Sequence, residues 1–156
     1  MQWNNKYIYP KSTRSIFQGS RHYSVNEENL PSVTTILKAT ESEEKKAKLE
    51  EWKKRVGYKQ AEVISREATS RGSSMHDYLE KFLLGKLNMD LLGDNTREKM
   101  MADQIIENGL RDKLSEIWGC EATLYYPGKY AGAADCIGIY ENKETIIDFK
   151  QSNKPK

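Results

Sequence analysis

The sequence predicts an α/β fold of the α+β kind, with strands towards both ends of the chain enclosing a long helical block. Three observations predict it. Apolar residues recur every three or four positions from Tyr58 to Leu84, the period of one helix face. Residues 120–126 alternate, and residues 131–150 form two apolar stretches around a polar Glu141-Asn142-Lys143 turn, which reads as strands. Finally, 156 residues with 37% hydrophobic content suffice for one domain with a moderate core.

The elements follow in order. No acidic residue precedes Glu27, while Lys6, Lys11, Arg14 and Arg21 fall in that segment. Residues 1–20 read as a basic N-terminal arm. Trp3, Tyr7, Ile8, Tyr9 and Pro10 suit a strand or arm better than an Arg/Ser-rich transit helix. Residues 20–25 form a short strand, Asn26–Asn29 a turn, and Leu30–Leu37 a new element that becomes helical after Pro31 and Ser32. Thr40-Glu-Ser-Glu43 has the form of a capping box opening a helix to Val56. There Glu44/Lys48, Glu50/Lys54 and Glu51/Arg55 are favourable i,i+4 pairs. Only Leu49, Trp52 and Val56 are apolar along one side, so this charge run reads as a solvated face.

The next helix carries Ile64, Ala68, Gly72, Met75, Leu79 and Phe82 on one stripe. Gly72 costs ~1 kcal/mol of helix propensity relative to Ala, which makes sense if another backbone packs closely. His76 sits beside the stripe, a position open to both a structural and a ligand role. Asn95-Thr-Arg-Glu98 again resembles a capping box. Met100, Ile106, Leu110, Leu114 and Ile117 continue the helical period until Gly119. Cys120–Tyr126 is then a strand and Pro127-Gly128 a turn.

Several classes are excluded. The formal net charge of +2 does not by itself announce a nucleic-acid binder. No apolar run approaches the ~20 residues that span a bilayer, and there is no secretory h-region. Cys120 and Cys136 lack CxxC-like spacing, which fits a reduced pair and leaves zinc short of ligands. A cytoplasmic location is expected, with a mitochondrial one as the alternative.

The chemistry concentrates in the last quarter. Asp135 lies on one strand and Asp148-Phe149-Lys150 ends the next. Alternation puts Asp148 and Lys150 on one face and Phe149 on the other. A hairpin can bring Asp135 towards that face. Two carboxylates and an ammonium group there would form a metal site with a water activator, suited to phosphodiester hydrolysis. Ile146-Ile147 suggests a central strand, and Gly132-Ala133-Ala134 leaves room beside Asp135 for a backbone or phosphate. Taken alone, such acids also serve solubility or edge protection.

Gly132-x-x-Asp135 followed after twelve residues by Asp148-Phe-Lys150 resembles the active-site hairpin of the PD-(D/E)XK nuclease superfamily. Within it the chain is similar to the RecB-like exonucleases, a group that includes the mitochondrial genome maintenance exonuclease and its phage relatives. Gly72-Ser-Ser-Met-His76 resembles their Gly-x-x-x-His helix, and Pro31–Leu37 after a His-Tyr strand is likewise similar. The resemblance implies a restriction-endonuclease-like core over residues 21–156, a mixed sheet flanked by helices. It implies Mg²⁺ or Mn²⁺ held by Asp135, Asp148, the Phe149 carbonyl and His76, with Lys150 orienting water and Glu121 as a further acid. The implied substrate is DNA, single-stranded or with free ends, in replication, repair or recombination. Arg21, Arg71, Lys129 and Lys154 are candidate phosphate contacts. Tyr23, Tyr125, Tyr126 and Tyr130 are candidates for base stacking or for the core. Two departures stand out. Ala134-Asp135 replaces Pro-Asp, and the family's Gln-x-x-x-Tyr helix and last strand do not occur before Lys156. The expectation is therefore a core completed by a continuation of the chain or by a partner chain; the alternative is a catalytically inactive nucleic-acid-binding fragment or nuclease subunit.

Overall fold

The computed structural model describes residues 1–86 and 96–152. They form an α+β structure with a mixed sheet and flanking helices. The strands are β1 (Gln2–Trp3), β2 (Ser12–Phe17), β3 (Ser20–Val25), β4 (Glu28–Pro31), β5 (Leu114–Tyr126), β6 (Tyr130–Tyr140) and β7 (Lys143–Ile147). The helices are α1 (Val33–Ala39), α2 (Glu43–Val56), α3 (Tyr58–Leu83) and α4 (Arg97–Ile105). One sheet has the order β1-β5-β6-β7 and the other β2-β3-β4. The chain divides into two compact units.

The first unit comprises Met1–Ile8, Ala68–Ala122 and Ala134 onwards. Its core joins Met75, Leu79 and Leu83 of α3 to Ala102 of α4, Ile117 of β5, Cys136 of β6 and Phe149. Strand β1 pairs parallel to β5, Gln2 opposite Glu116 and Trp3 opposite Ile117, which makes the sheet mixed. The Trp3 indole N–H donates to the Leu83 carbonyl (2.8 Å), and the Lys6 ammonium lies 4.0 Å from the Trp118 ring centroid. Residues 1–20 thus contribute two strands, β1 here and β2 in the other unit. Gly138 permits a close backbone approach: a Cβ there would collide with the Glu116 carbonyl oxygen.

The second unit comprises Tyr9–Glu67 and Thr123–Ala133. Two-residue turns with left-handed backbone, Gln18-Gly19 (φ 49° and 75°) and Asn26-Glu27 (φ 46° and 66°), join its three antiparallel strands. Such turns match the twist of the paired strands. Tyr23, Val25, Leu30 and Ala131 form its core. Buried Ser32 caps α1, its hydroxyl accepting from the Thr35 N–H (3.0 Å). Helix α2 buries no residue and carries surface pairs such as Glu44–Lys48 at 2.6 Å.

Several sequence expectations need correction. Thr40 is the C-cap of α1, and Ser42 caps α2 by accepting from the Lys45 N–H. Thr96 caps α4, while Asn95 lies outside the described residues. The helical period expected to run to Gly119 breaks earlier. A π-turn at Ile106–Leu110 and a left-handed Asp112 (φ 63°) end the helix, so Leu114, Ile117 and Gly119 belong to β5. Strand β4 starts at Glu28, shortening the expected Asn26–Asn29 turn. No backbone crowds Gly72; the nearest atom to a Cβ there is the Gln151 Oε1 at 3.9 Å. The room expected beside Gly132 is occupied by the Val33 side chain, 3.4 Å from a Cβ position. Strand β7 is an outer strand among the described residues, and Ile146 is exposed rather than buried.

Candidate metal centre

Phe149 organises the centre. Its ring is buried in the core of the first unit, which fixes the main chain between Asp148 and Lys150 just beyond the β7 ladder. That main chain then binds two side chains. The Phe149 N–H donates to the Asp135 Oδ2 (2.7 Å), and its carbonyl lies 2.8 Å from the His76 Nε2. Asp135 comes from β6, beside fully buried Cys136. His76 comes from α3, next to fully buried Met75. In both cases the neighbouring core residue sets the direction of the polar one.

The His76 Nδ1 lies 3.6 Å from the Asp135 Oδ1. Both ring nitrogens therefore face oxygen acceptors. A neutral imidazole has only one N–H, so one nitrogen would point a lone pair at an oxygen. A second proton resolves this, and so does a cation on the Nδ1 side. The titration behaviour follows. Pairing with Asp135 raises the His76 pKa above its ordinary value, against the opposing effect of burial. For Asp135, burial acts to raise the pKa. The His76 pairing, the Phe149 N–H and the nearby His76 and Lys150 charges outweigh it, leaving a lowered value.

Glu121 completes the cluster. One ligand atom from each of His76, Glu121 and Asp135 lies within 4.8 Å of the others. Glu121 has φ 47° in the middle of β5, a left-handed conformation that a residue with a side chain adopts at a cost. Strain of this kind concentrates at functional sites. One imidazole nitrogen and two carboxylates form a mainly hard donor set that fits Mg²⁺ or Mn²⁺. The Phe149 carbonyl, expected as a ligand, instead meets Nε2 on the opposite edge of the ring from Nδ1.

Asp148 is outside this cluster of three. Its carboxylate pairs with the Lys150 ammonium at 2.9 Å, and the two side chains are 60% and 76% exposed. Their mutual contact keeps them on one side of the chain, opposite the buried Phe149 ring. Cys120 and Cys136 supply no thiolate, because burial pushes their pKa values up to about 12 and about 11.

The chain is similar to proteins named as exonucleases. Mitochondrial genome maintenance exonuclease 1 of Mus musculus is 32% identical over 133 residues, covering 82% of this chain and 38% of the mouse protein. The Homo sapiens protein of that name is 29% identical over 132 residues, covering 81% of the chain and 38% of its own length. The Xenopus tropicalis protein is 31% identical over 135 residues, covering 81% and 37%. The chain is a distant relative of these exonucleases. It spans about 38% of the length of the curated relatives it matches. No family model matches it.

The remaining candidates are dispersed. Arg21 is exposed on β3, Arg71 is on α3, and Lys129 is exposed at the β5–β6 turn; Lys154 lies outside the described residues. Tyr23 is a core residue, and Tyr125 packs against that core. Tyr126 and Tyr130 are exposed, with ring centroids 6.0 Å apart. The role of the Phe149 N–H has no sequence signal, because it depends on where β7 ends relative to β6. No described helix is long and apolar enough to cross a membrane.

Proposed function

We propose that this chain is the metal-binding part of a DNA exonuclease of the PD-(D/E)XK, RecB-like kind, built on a restriction-endonuclease-like core. The observation that carries the reading is the convergence of His76, Glu121 and Asp135 ligand atoms within 4.8 Å, on a chain related to exonucleases. Asp135, Glu121 and the His76 Nδ1 would hold Mg²⁺ or Mn²⁺, while the Phe149 carbonyl, on the opposite edge of the imidazole, holds the ring in place. When bound, such an ion polarises the scissile phosphate and lowers the pKa of a coordinated water.

The chain's own groups do the rest. The Phe149 N–H fixes the Asp135 carboxylate, leaving Oδ1 towards the site. The Phe149 carbonyl orients the His76 ring by accepting from Nε2–H, which directs the Nδ1 lone pair inwards when the ring is neutral. Lys150 is close enough to lower the Asp135 pKa. We assign it to hold the attacking water and to offset charge developing on the phosphate oxygens. Asp148, exposed beside the fixed Phe149, joins as a further acid once Lys150 turns from it to the phosphate. Arg21, Arg71, Lys129 and Lys154 are assigned to the DNA backbone, and Tyr126 and Tyr130 to unpaired bases. Single-stranded DNA or DNA ends are the proposed substrate.

The test is digestion of end-labelled single-stranded DNA with Mn²⁺ or Mg²⁺ by the wild type and by Asp148→Asn and Lys150→Ala. Metal-dependent release of nucleotides by the wild type, lost in both variants, is expected. Cleavage unaffected by either substitution would remove these residues from the mechanism. DNA binding without cleavage under any metal would instead mark a binding component of a larger nuclease.

A further inference from the structure

The β2–β3 hairpin is exposed on both faces over its outer half. Cross-strand pairing sets what each face carries. Ile16 is opposite Arg21 and Arg14 opposite Tyr23, while Ser15 is opposite His22. Arg14, Ile16 and Arg21 therefore share one face, and Phe17 and His22 share the other. Ile16 is 72% exposed and Phe17 49%. Phe17 meets the His22 ring edge-to-face, with centroids 5.4 Å apart. The Gln18-Gly19 turn closes the tip.

The ribbon is held by its inner half. The Arg21 carbonyl accepts from the Ser32 N–H (2.9 Å) and from the Thr35 hydroxyl (2.9 Å) at the start of α1. Deeper along the ribbon, Tyr23 and Val25 enter the core. The anchored ribbon thus displays one large apolar side chain on each face, Ile16 and Phe17. Its charge is one-sided: Lys11, Arg14 and Arg21 occur there, and no acid precedes Glu27. Exposed aromatic and apolar groups on a hairpin whose own charged residues are all cations match a polyanion that offers flat apolar faces, which is a nucleic acid with unpaired bases.

We propose that the β2–β3 hairpin is a nucleic-acid contact element, with Phe17 and His22 stacking on unpaired bases and Arg14 and Arg21 meeting phosphates. This rests on the nucleic-acid side of the proposed function and adds to it the element that recognises single-stranded character.

The test is binding in EDTA, so that no metal chemistry enters. Fluorescence anisotropy of a labelled oligothymidylate and of a blunt duplex would be measured with the full chain. Wild type should favour the single strand, and Phe17→Ala should weaken that binding roughly tenfold, the loss of one aromatic–base stack. Phe17→Tyr should restore it. The double variant Arg14→Ala/Arg21→Ala should reduce the dependence of log affinity on log salt by about 1.4, for two phosphates on a single strand. Far-ultraviolet circular dichroism would confirm that each variant is folded. Unchanged affinity in folded Phe17→Ala, or a duplex preference in the wild type, would overturn the proposal. Because binding is read without metal, a chain that binds through Phe17 but never cleaves would leave this proposal standing while the nuclease reading fell. A chain that cleaves with Phe17→Ala affinity unchanged would do the reverse.

Discussion

At the scale of single residues, the decisive feature is a histidine between two acceptors. The His76 Nε2 is 2.8 Å from the Phe149 carbonyl oxygen, and Nδ1 is 3.6 Å from the Asp135 Oδ1. Pairing with Asp135 raises the folded pKa of His76 above the ordinary 6.5. The sign follows from linkage. The stabilisation is full below the unfolded pKa and is lost as pH rises through the higher folded value. Metal-free protein should therefore melt at a higher temperature at about pH 5.5 than at about pH 8, and His76→Gln should shrink that difference. Equal pH dependence in wild type and variant would contradict the assignment. Asp135 works oppositely: its pKa is lowered from 3.8, so its share is present above that range and lost in acid. Glu121 offers a second residue-scale test, because its left-handed backbone favours glycine. Glu121→Gly should leave stability unchanged or raise it by up to about 1 kcal/mol, while divalent-cation affinity falls at least tenfold. A large loss of stability instead would make Glu121 a structural residue.

At the scale of elements, the close approach of β5 and β6 sets the position of Asp135. A Cβ on Gly138 would collide with the Glu116 carbonyl oxygen, and backbone cannot yield as a flexible side chain can. Gly138→Ala should destabilise the fold by about 1–3 kcal/mol, as overpacking does, measured by urea denaturation. A change below a few tenths would mean that the two strands separate freely. This contact was not legible in the sequence, since a strand glycine shows only that something approaches, not what. What could be read locally held well: the α3 stripe, the Glu141-Asn142 turn (φ 47° and 63°) and the strands flanking it. The failure at residues 106–119 is instructive. Ile106, Leu110, Leu114 and Ile117 keep helical spacing, yet the chain turns at Arg111–Asp112. Gly109 and Asp112 were the available signal, because aspartate tolerates a left-handed backbone better than most residues. The β1–β5 pairing had no local signal at all, because parallel edge pairing links residues more than a hundred positions apart.

For the molecule as a whole, the sequence singled out Asp135, Asp148 and Lys150 from one hairpin, whereas the closest cluster of ligand atoms draws on α3, β5 and β6. Spacing along a hairpin could suggest that Asp135 faces Asp148. It could not show that the Phe149 ring, buried in the core of the first unit, pins the backbone that binds both His76 and Asp135. The central claim is that His76, Glu121 and Asp135 together hold a divalent cation. The most direct test is isothermal titration of the intact chain with Mn²⁺ at about pH 8, where proton competition for the His76 Nδ1 is weakest. The account predicts saturable binding that falls at least tenfold in each of His76→Ala, Glu121→Gln and Asp135→Asn, and that weakens for the wild type at lower pH. Mn²⁺ binding equal to wild type in all three folded variants, or none in the wild type, would contradict it.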